Sequence, residues 1–176
     1  MSAGHAHKNP NLKHAAELHD LMQDPAVAAE LAKPYRVDEQ YDIPYLAGYS
    51  KDGATIYIDR SLAAARPSIG DVPYESWRFA LESHEHLEKV LIDQKQYDYQ
   101  AAHEFATVGE HEVVRSLGLR TVAYERALKP FIATDATKQI ENPPPDLDLT
   151  PYEDEGDVEM LDKLRGANGG SSAANR

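Results

Sequence analysis

The sequence predicts an α+β fold, in which a small antiparallel β-hairpin or three-stranded sheet packs on a helical core and an acidic tail follows. Three observations predict it. Apolar residues recur at helical spacing over two long stretches, Tyr74 to Gln94 and Asp98 to Leu117. Two β-branched and aromatic stretches, Ile43 to Ser50 and Ala54 to Arg60, flank Lys51-Asp52-Gly53, a strong turn signal. From residue 141 onward the composition shifts, with nine acidic residues against three basic ones, a Pro143-Pro144-Pro145 run, and a Gly-, Ser- and Ala-rich end.

The elements follow in order. Leu12, Ala15, Ala16 and Leu18 are spaced as on one helical face, so a first helix is expected over Asn11 to Met22. Asp24 before Pro25 reads as a capping residue and a first-turn proline, opening a second short helix that Lys33-Pro34 stops. Residues 1–40 are thus expected to form a helical N-terminal segment. In the hairpin, Ile56 and Ile58 share one face and Tyr57 and Asp59 the other. Residues 66–73 read as a connection. The stripe Trp77, Leu81, His84, Glu88 and Leu91 marks the buried face of the first long helix. Gly118 marks the end of the second. A third helix is expected from Thr121 to Lys129, broken or kinked at Pro130. Residues 41–140 form the expected central domain. Residues 141–176, with a charge of −6 and few apolar residues, are expected to be a mostly disordered tail, with Val158 to Leu164 as a short helix or docking segment.

Composition narrows the function. The 176 residues carry 30 acidic and 18 basic side chains, a formal charge of −12. That balance disfavours nucleic acid and anionic membrane surfaces, which select clustered Lys and Arg. The absence of cysteine excludes disulfides, thiolate metal sites and cysteine nucleophiles. No apolar run approaches the ~18 residues of a membrane span, and the N-terminus shows no signal core, so a cytoplasmic protein is expected. The acidic tail suggests a basic protein partner.

The chemistry-bearing segment is Ser83-His84-Glu85-His86-Leu87-Glu88, with His103, Glu104, Glu110 and His111 on the next helix. His84 and Glu88, one turn apart, point the same way and can share one Zn²⁺ or another divalent transition metal. They lie in the same stripe as Trp77 and Leu91, where a buried carboxylate needs a partner or a metal. A buried His–Glu hydrogen-bonded pair is the bland alternative. His103 is the expected third ligand, because a short turn near Gln96-Tyr97 brings the two helices antiparallel. Glu110 is either a further ligand or a hydrogen-bond partner of one. Glu85, about 100° around the helix from His84, is the expected general base for a metal-activated water. Tyr57, Tyr97 and Tyr99 are candidate transition-state donors. His86, Glu104 and His111 read as surface residues, and His5, His7, His14 and His19 as an exposed N-terminal group. The Glu-x-x-His pattern of ferritin-like di-iron helices is absent, as is a His-x-x-x-His companion of the hemerythrin type.

A hairpin ending Ile56-Tyr57-Ile58-Asp59-Arg60, a helix with His84-Glu85-x-x-Glu88, and a helix with His103 and Glu110 together resemble the core of a minimal zincin-type metallopeptidase of the gluzincin branch, over roughly Tyr45 to Leu117. Glu88 stands where the H-E-x-x-H pattern has its second histidine. The resemblance implies a zincin-like pair of active-site helices. It also implies an edge strand that binds an extended peptide, and a zinc-dependent peptidase or amidase. The segment is also similar to small phage and prophage proteins. The competing expectation is a non-catalytic accessory or interaction protein, in which a metal or a buried polar pair only holds two helices together.

Overall fold

A computed structural model describes residues 10–135, 140–154 and 156–170. Its elements are α1 (Pro10–Met22), α2 (Pro25–Leu31), β1 (Arg36–Asp38), β2 (Ala47–Tyr49), β3 (Thr55–Ile58), α3 (Arg60–Ala65), α4 (Tyr74–Lys95), α5 (Tyr99–Ser116), α6 (Thr121–Asp135), α7 (Thr150–Asp154) and α8 (Val158–Gly170). The fold is α+β, as the periodicities predict. Among the described residues no helix is long and apolar enough to cross a membrane.

The local signals act where the sequence places them. The Asp24 carboxylate accepts from the Ala26 and Val27 amides and starts α2. Asp98 accepts from the Ala101 amide and starts α5. Gly53 takes φ +69 at the hairpin tip, where a β-carbon would crowd Lys89. Pro130 lies inside α6, which continues to Asp135 rather than ending at Lys129. Three elements add to the expected ones: β1, α7, and α3, which Asp59 caps by accepting from the Ser61 amide. β1, within the stretch expected to be purely helical, runs parallel to β3.

The sheet order is β1-β3-β2, with β2 antiparallel to β3. The sheet is therefore mixed rather than purely antiparallel. The Ile56–Ile58 strand is its centre, and β1 and β2 are its two edges. One face, carrying Tyr49, Ile56 and Ile58, packs on α4 around Trp77, Ala80 and Leu81, with Tyr124 and Leu128 of α6 closing the layer. The N-terminal helices rest on the far side of α4 and α5 through Leu18, Leu87, Leu91 and Ala102.

The acidic stretch is where the structure departs most from the expectation of disorder. In its described part, Leu147, Tyr152, Met160, Leu161 and Leu164 are buried with Ile140 against Ile43 and Tyr57, on the second face of the sheet. Its acids also find partners within the chain. Asp146 accepts from the Tyr57 hydroxyl at 2.5 Å, Asp148 pairs with Lys89 at 3.1 Å, and the Glu141 and Asn142 amides donate to buried Asp42. Charge on the outer faces of α7 and α8 lowers the mean hydropathy of the stretch while its inner faces remain apolar. Residues 171–176 lie outside the described residues.

Candidate metal centre

α4 and α5 pack antiparallel, and their facing stripes carry the polar residues the sequence singles out. His84 and Glu88 are buried on α4, at 6% and 3% exposure. His103 comes from α5, with its side chain 46% exposed towards a cleft. His84 Nε2 lies 3.1 Å from His103 Nδ1, and Glu88 Oε2 lies 2.9 Å from His103 Nδ1 and 3.4 Å from His84 Nε2. These are close to the edges of a metal tetrahedron, about 3.3 Å for bonds near 2.0–2.1 Å. Among the described residues, this is the one trio of histidines and carboxylates whose ligand atoms converge so closely.

The chemistry of the donors fits a cation. Two ring nitrogens and a carboxylate oxygen, each a potential ligand atom, face one point. Ring protons can satisfy at most two of the three contacts at once, whereas a cation satisfies all three.

Around the trio, hydrogen bonds settle the orientation of each ring. His84 Nδ1–H donates to Glu110 Oε2 at 2.9 Å, which leaves Nε2 as the atom facing the trio. Glu110 is thus a partner of a candidate ligand, and its other oxygen accepts from the Tyr124 hydroxyl at 2.6 Å. Metal-binding histidines are commonly oriented by such a carboxylate. The Tyr49 hydroxyl donates to Glu88 Oε1 at 3.1 Å, holding the carboxylate from the sheet side. Tyr99 lies 3.4 Å from His103 Nδ1.

Electrostatics follow from burial and pairing. Burial opposes the His84 imidazolium, but hydrogen bonds to Glu110 and Glu88 outweigh it and hold the group well above the ordinary histidine range. Burial alone would raise both carboxyls. Hydrogen bonds from His103 and His84 hold Glu88 below its usual range, and His84 does the same for Glu110. Glu85 is the contrast. Among the described residues no hydrogen bond reaches its carboxyl, and burial, then the Glu88 charge, push it up to about 8. It lines the same cleft of about 330 Å³ as His84, Glu88 and His103.

The remaining predicted residues fall elsewhere. Tyr57 points to the second face of the sheet, and Tyr97 packs on Phe105. Tyr99 is thus the one tyrosine of the predicted three beside the trio. His86 stacks edge-on against Tyr35, half-buried rather than exposed. His111 lies 3.3 Å from Glu125 at the cleft. His14 lies against Phe105 and His19 is exposed on α1, while His5 and His7 fall outside the described residues.

Comparison with protein-family models, with curated proteins and with solved structures finds no match for this chain. The site therefore has to be read from its own geometry.

Three tyrosines escaped the sequence reading. Tyr124 has no spacing relation to His84 or Glu110 that marks it, since α6 meets α5 only in the folded chain. Tyr152 lies in the stretch expected to be disordered. Tyr49 did carry a signal, because strand alternation puts it on the Ala47 face that packs on α4.

Proposed function

We propose that this protein is a metal-dependent hydrolase of amide or peptide bonds, with His84, Glu88 and His103 as the ligands of a Zn²⁺ or similar ion. The observation that carries this reading is the convergence of their three donor atoms at 2.9–3.4 Å, in a cleft that also holds the unpaired Glu85 carboxyl. His84, Glu88 and His103 would hold a divalent cation, which would supply polarisation of a carbonyl and a water that ionises near neutral pH. Glu85 is the general base that takes that proton and returns it to the leaving amine. Its freedom from hydrogen bonds suits a group that must gain and lose a proton each turnover. Glu110 and Tyr124 hold His84 in one tautomer, and Tyr49 fixes the Glu88 carboxylate.

The competing reading is a structural ion that clamps two helices. Such sites are usually closed by four protein ligands. Here three donors converge and His103 opens on the cleft, which favours the hydrolase.

The test is elemental analysis of the purified full chain beside His84→Ala and Glu85→Gln, with hydrolysis of a panel of aminoacyl amides and peptides. The reading expects about one ion per chain in the wild type and in Glu85→Gln, and far less in His84→Ala. It expects Glu85→Gln to lose at least ~10²-fold in rate. Unchanged metal content in His84→Ala, or full activity in Glu85→Gln, would overturn it.

A further inference from the structure

An extended chain joins a sheet edge by bonding to alternate residues, those whose amides and carbonyls face outward. In β2 the inward residues are Leu46, Gly48 and Ser50. The Ser50 amide donates to Thr55 and the Leu46 carbonyl accepts from Asp59, on the β3 side. The outward residues are therefore Ala47, Tyr49 and Lys51.

The chain has already used two of these three. The Asp148 amide donates to the Tyr49 carbonyl at 2.9 Å, and the Lys51 amide donates to the Asp146 carbonyl at 2.9 Å. Ser50 and Leu147 pair antiparallel between them. This segment is firmly seated. Leu147 is buried, Asp148 is paired with Lys89, and Tyr152 stacks on Tyr45 at 6.0 Å between ring centres. The edge also ends in the other direction, because Tyr45 and Leu46 have φ of 57° and 80°, which an extended strand cannot continue. Ala47 alone is left, and it lines the cleft with His84 and Glu88.

Charge selects which end of a chain fits. Among the described residues, Glu85, Glu88, Glu110, Glu125 and Asp148 line the cleft beside His84, His103 and His111, and no Lys or Arg does. Five carboxylates outnumber the charge of one divalent ion, so an ammonium suits the cleft better than a terminal carboxylate. Leu128 and Ile132 add an apolar wall.

Building on the hydrolase reading, we propose that the substrate is an amide beside a free amine, either the amino end of a chain or a small amine-bearing amide, and not the interior of an extended polypeptide. One residue pairs with Ala47, and segment 146–152 stops the chain beyond it.

The test is binding rather than turnover. The full chain is loaded with Co²⁺, and its visible spectrum reports titration with leucine hydroxamate, N-acetyl-leucine hydroxamate, and an N-acetyl pentapeptide ending in leucine hydroxamate. All three carry the same metal-binding group, so differences among them read the rest of the cleft. Leucine hydroxamate is expected to bind at least about tenfold more tightly than either blocked probe. If the blocked pentapeptide binds as tightly or more tightly, an extended chain is accepted and the inference is overturned while the metal reading stands. If the wild type takes up no Co²⁺, the metal reading fails and the inference falls with it.

Discussion

Two regions of this chain are rich in acidic residues and treat them in opposite ways. The α4–α5 pair turns Glu88 and Glu110 inward, onto histidines, in the same stripe as its apolar side chains. The C-terminal stretch turns many of its acids outward or along its edges and buries Leu147, Tyr152 and Leu164 instead. Net charge alone does not separate the two. What separates them is which face of the helix carries the carboxylates. A buried carboxylate demands a partner and so marks a site, whereas an outward one permits a packed apolar face behind it.

The comparison breaks most directly at Leu164, which is fully buried under the sheet. Leu164→Ala should cost about 2–5 kcal/mol, the usual range for a buried leucine truncated to alanine. Urea unfolding followed by circular dichroism measures it. A loss below half a kilocalorie would mean that the stretch does not dock in solution.

The inward acids are probed at Glu110. Glu110→Gln keeps a hydrogen-bond acceptor for His84 but removes the charge that orients it. Affinity for Zn²⁺ should fall by about 10–100-fold, as for other partners of metal-binding histidines. A competition titration with a chromophoric chelator reads this. An unchanged affinity would make Glu110 a structural carboxylate only.

The two regions touch at Lys89, which joins α4 to Asp148 at 3.1 Å and to Asp93 at 3.0 Å. Lys89→Met keeps the aliphatic stem and removes the link. The expected cost is about 1–3 kcal/mol, because Lys89 and Asp148 are largely buried and the carboxylate is left without its partner. The gap from wild type should change little with salt, since a buried pair is weakly screened, as unfolding curves at two salt concentrations would reveal.

The smallest effect is expected at the Asp24–Lys95 pair, which pins the start of α2 to the end of α4. The Lys95 hydrogen bond is the main cause holding the Asp24 carboxyl below its usual 3.8. A lowered carboxyl stabilises the fold above its unfolded value and loses that contribution as pH falls through the folded one. Asp24→Asn should therefore be slightly less stable than wild type at pH 7, with a smaller gap at about pH 3, where the carboxyl begins to lose that contribution. Thermal melts at the two pH values compare them, and a gap that widens in acid would contradict the pairing.

Much of the site was legible in the sequence. The spacing of His84, Glu88 and Leu91 put the polar pair on the buried stripe, and a short turn before Asp98 implied that His103 would return to face them. The role of Glu110 stayed open, since spacing within one helix does not say which atom a side chain on another helix will meet. The C-terminal stretch was misread because composition averages over both faces of a helix, so Met160, Leu161 and Leu164 were outweighed by the acids around them. Which strand forms the edge was not legible for a related reason. Alternation in Thr55 to Ile58 identifies a strand, but only the parallel pairing of Arg36–Asp38 decides that it is the central one.

By itself, then, the sequence determined the local features: the helices with their caps, the Asp-Gly turn, and the alignment of His84 with Glu88. These depend on residues within a few positions of one another, where backbone geometry leaves little choice. Tertiary structure alone decided which side chains from distant elements complete the site, Tyr49 and Tyr124 among them, and that residues 146–148 occupy the edge of β2. Those contacts join positions up to about a hundred residues apart, as between Asp42 and Asn142. They form because the faces left apolar must be covered somewhere, and only the packed chain fixes which element covers which.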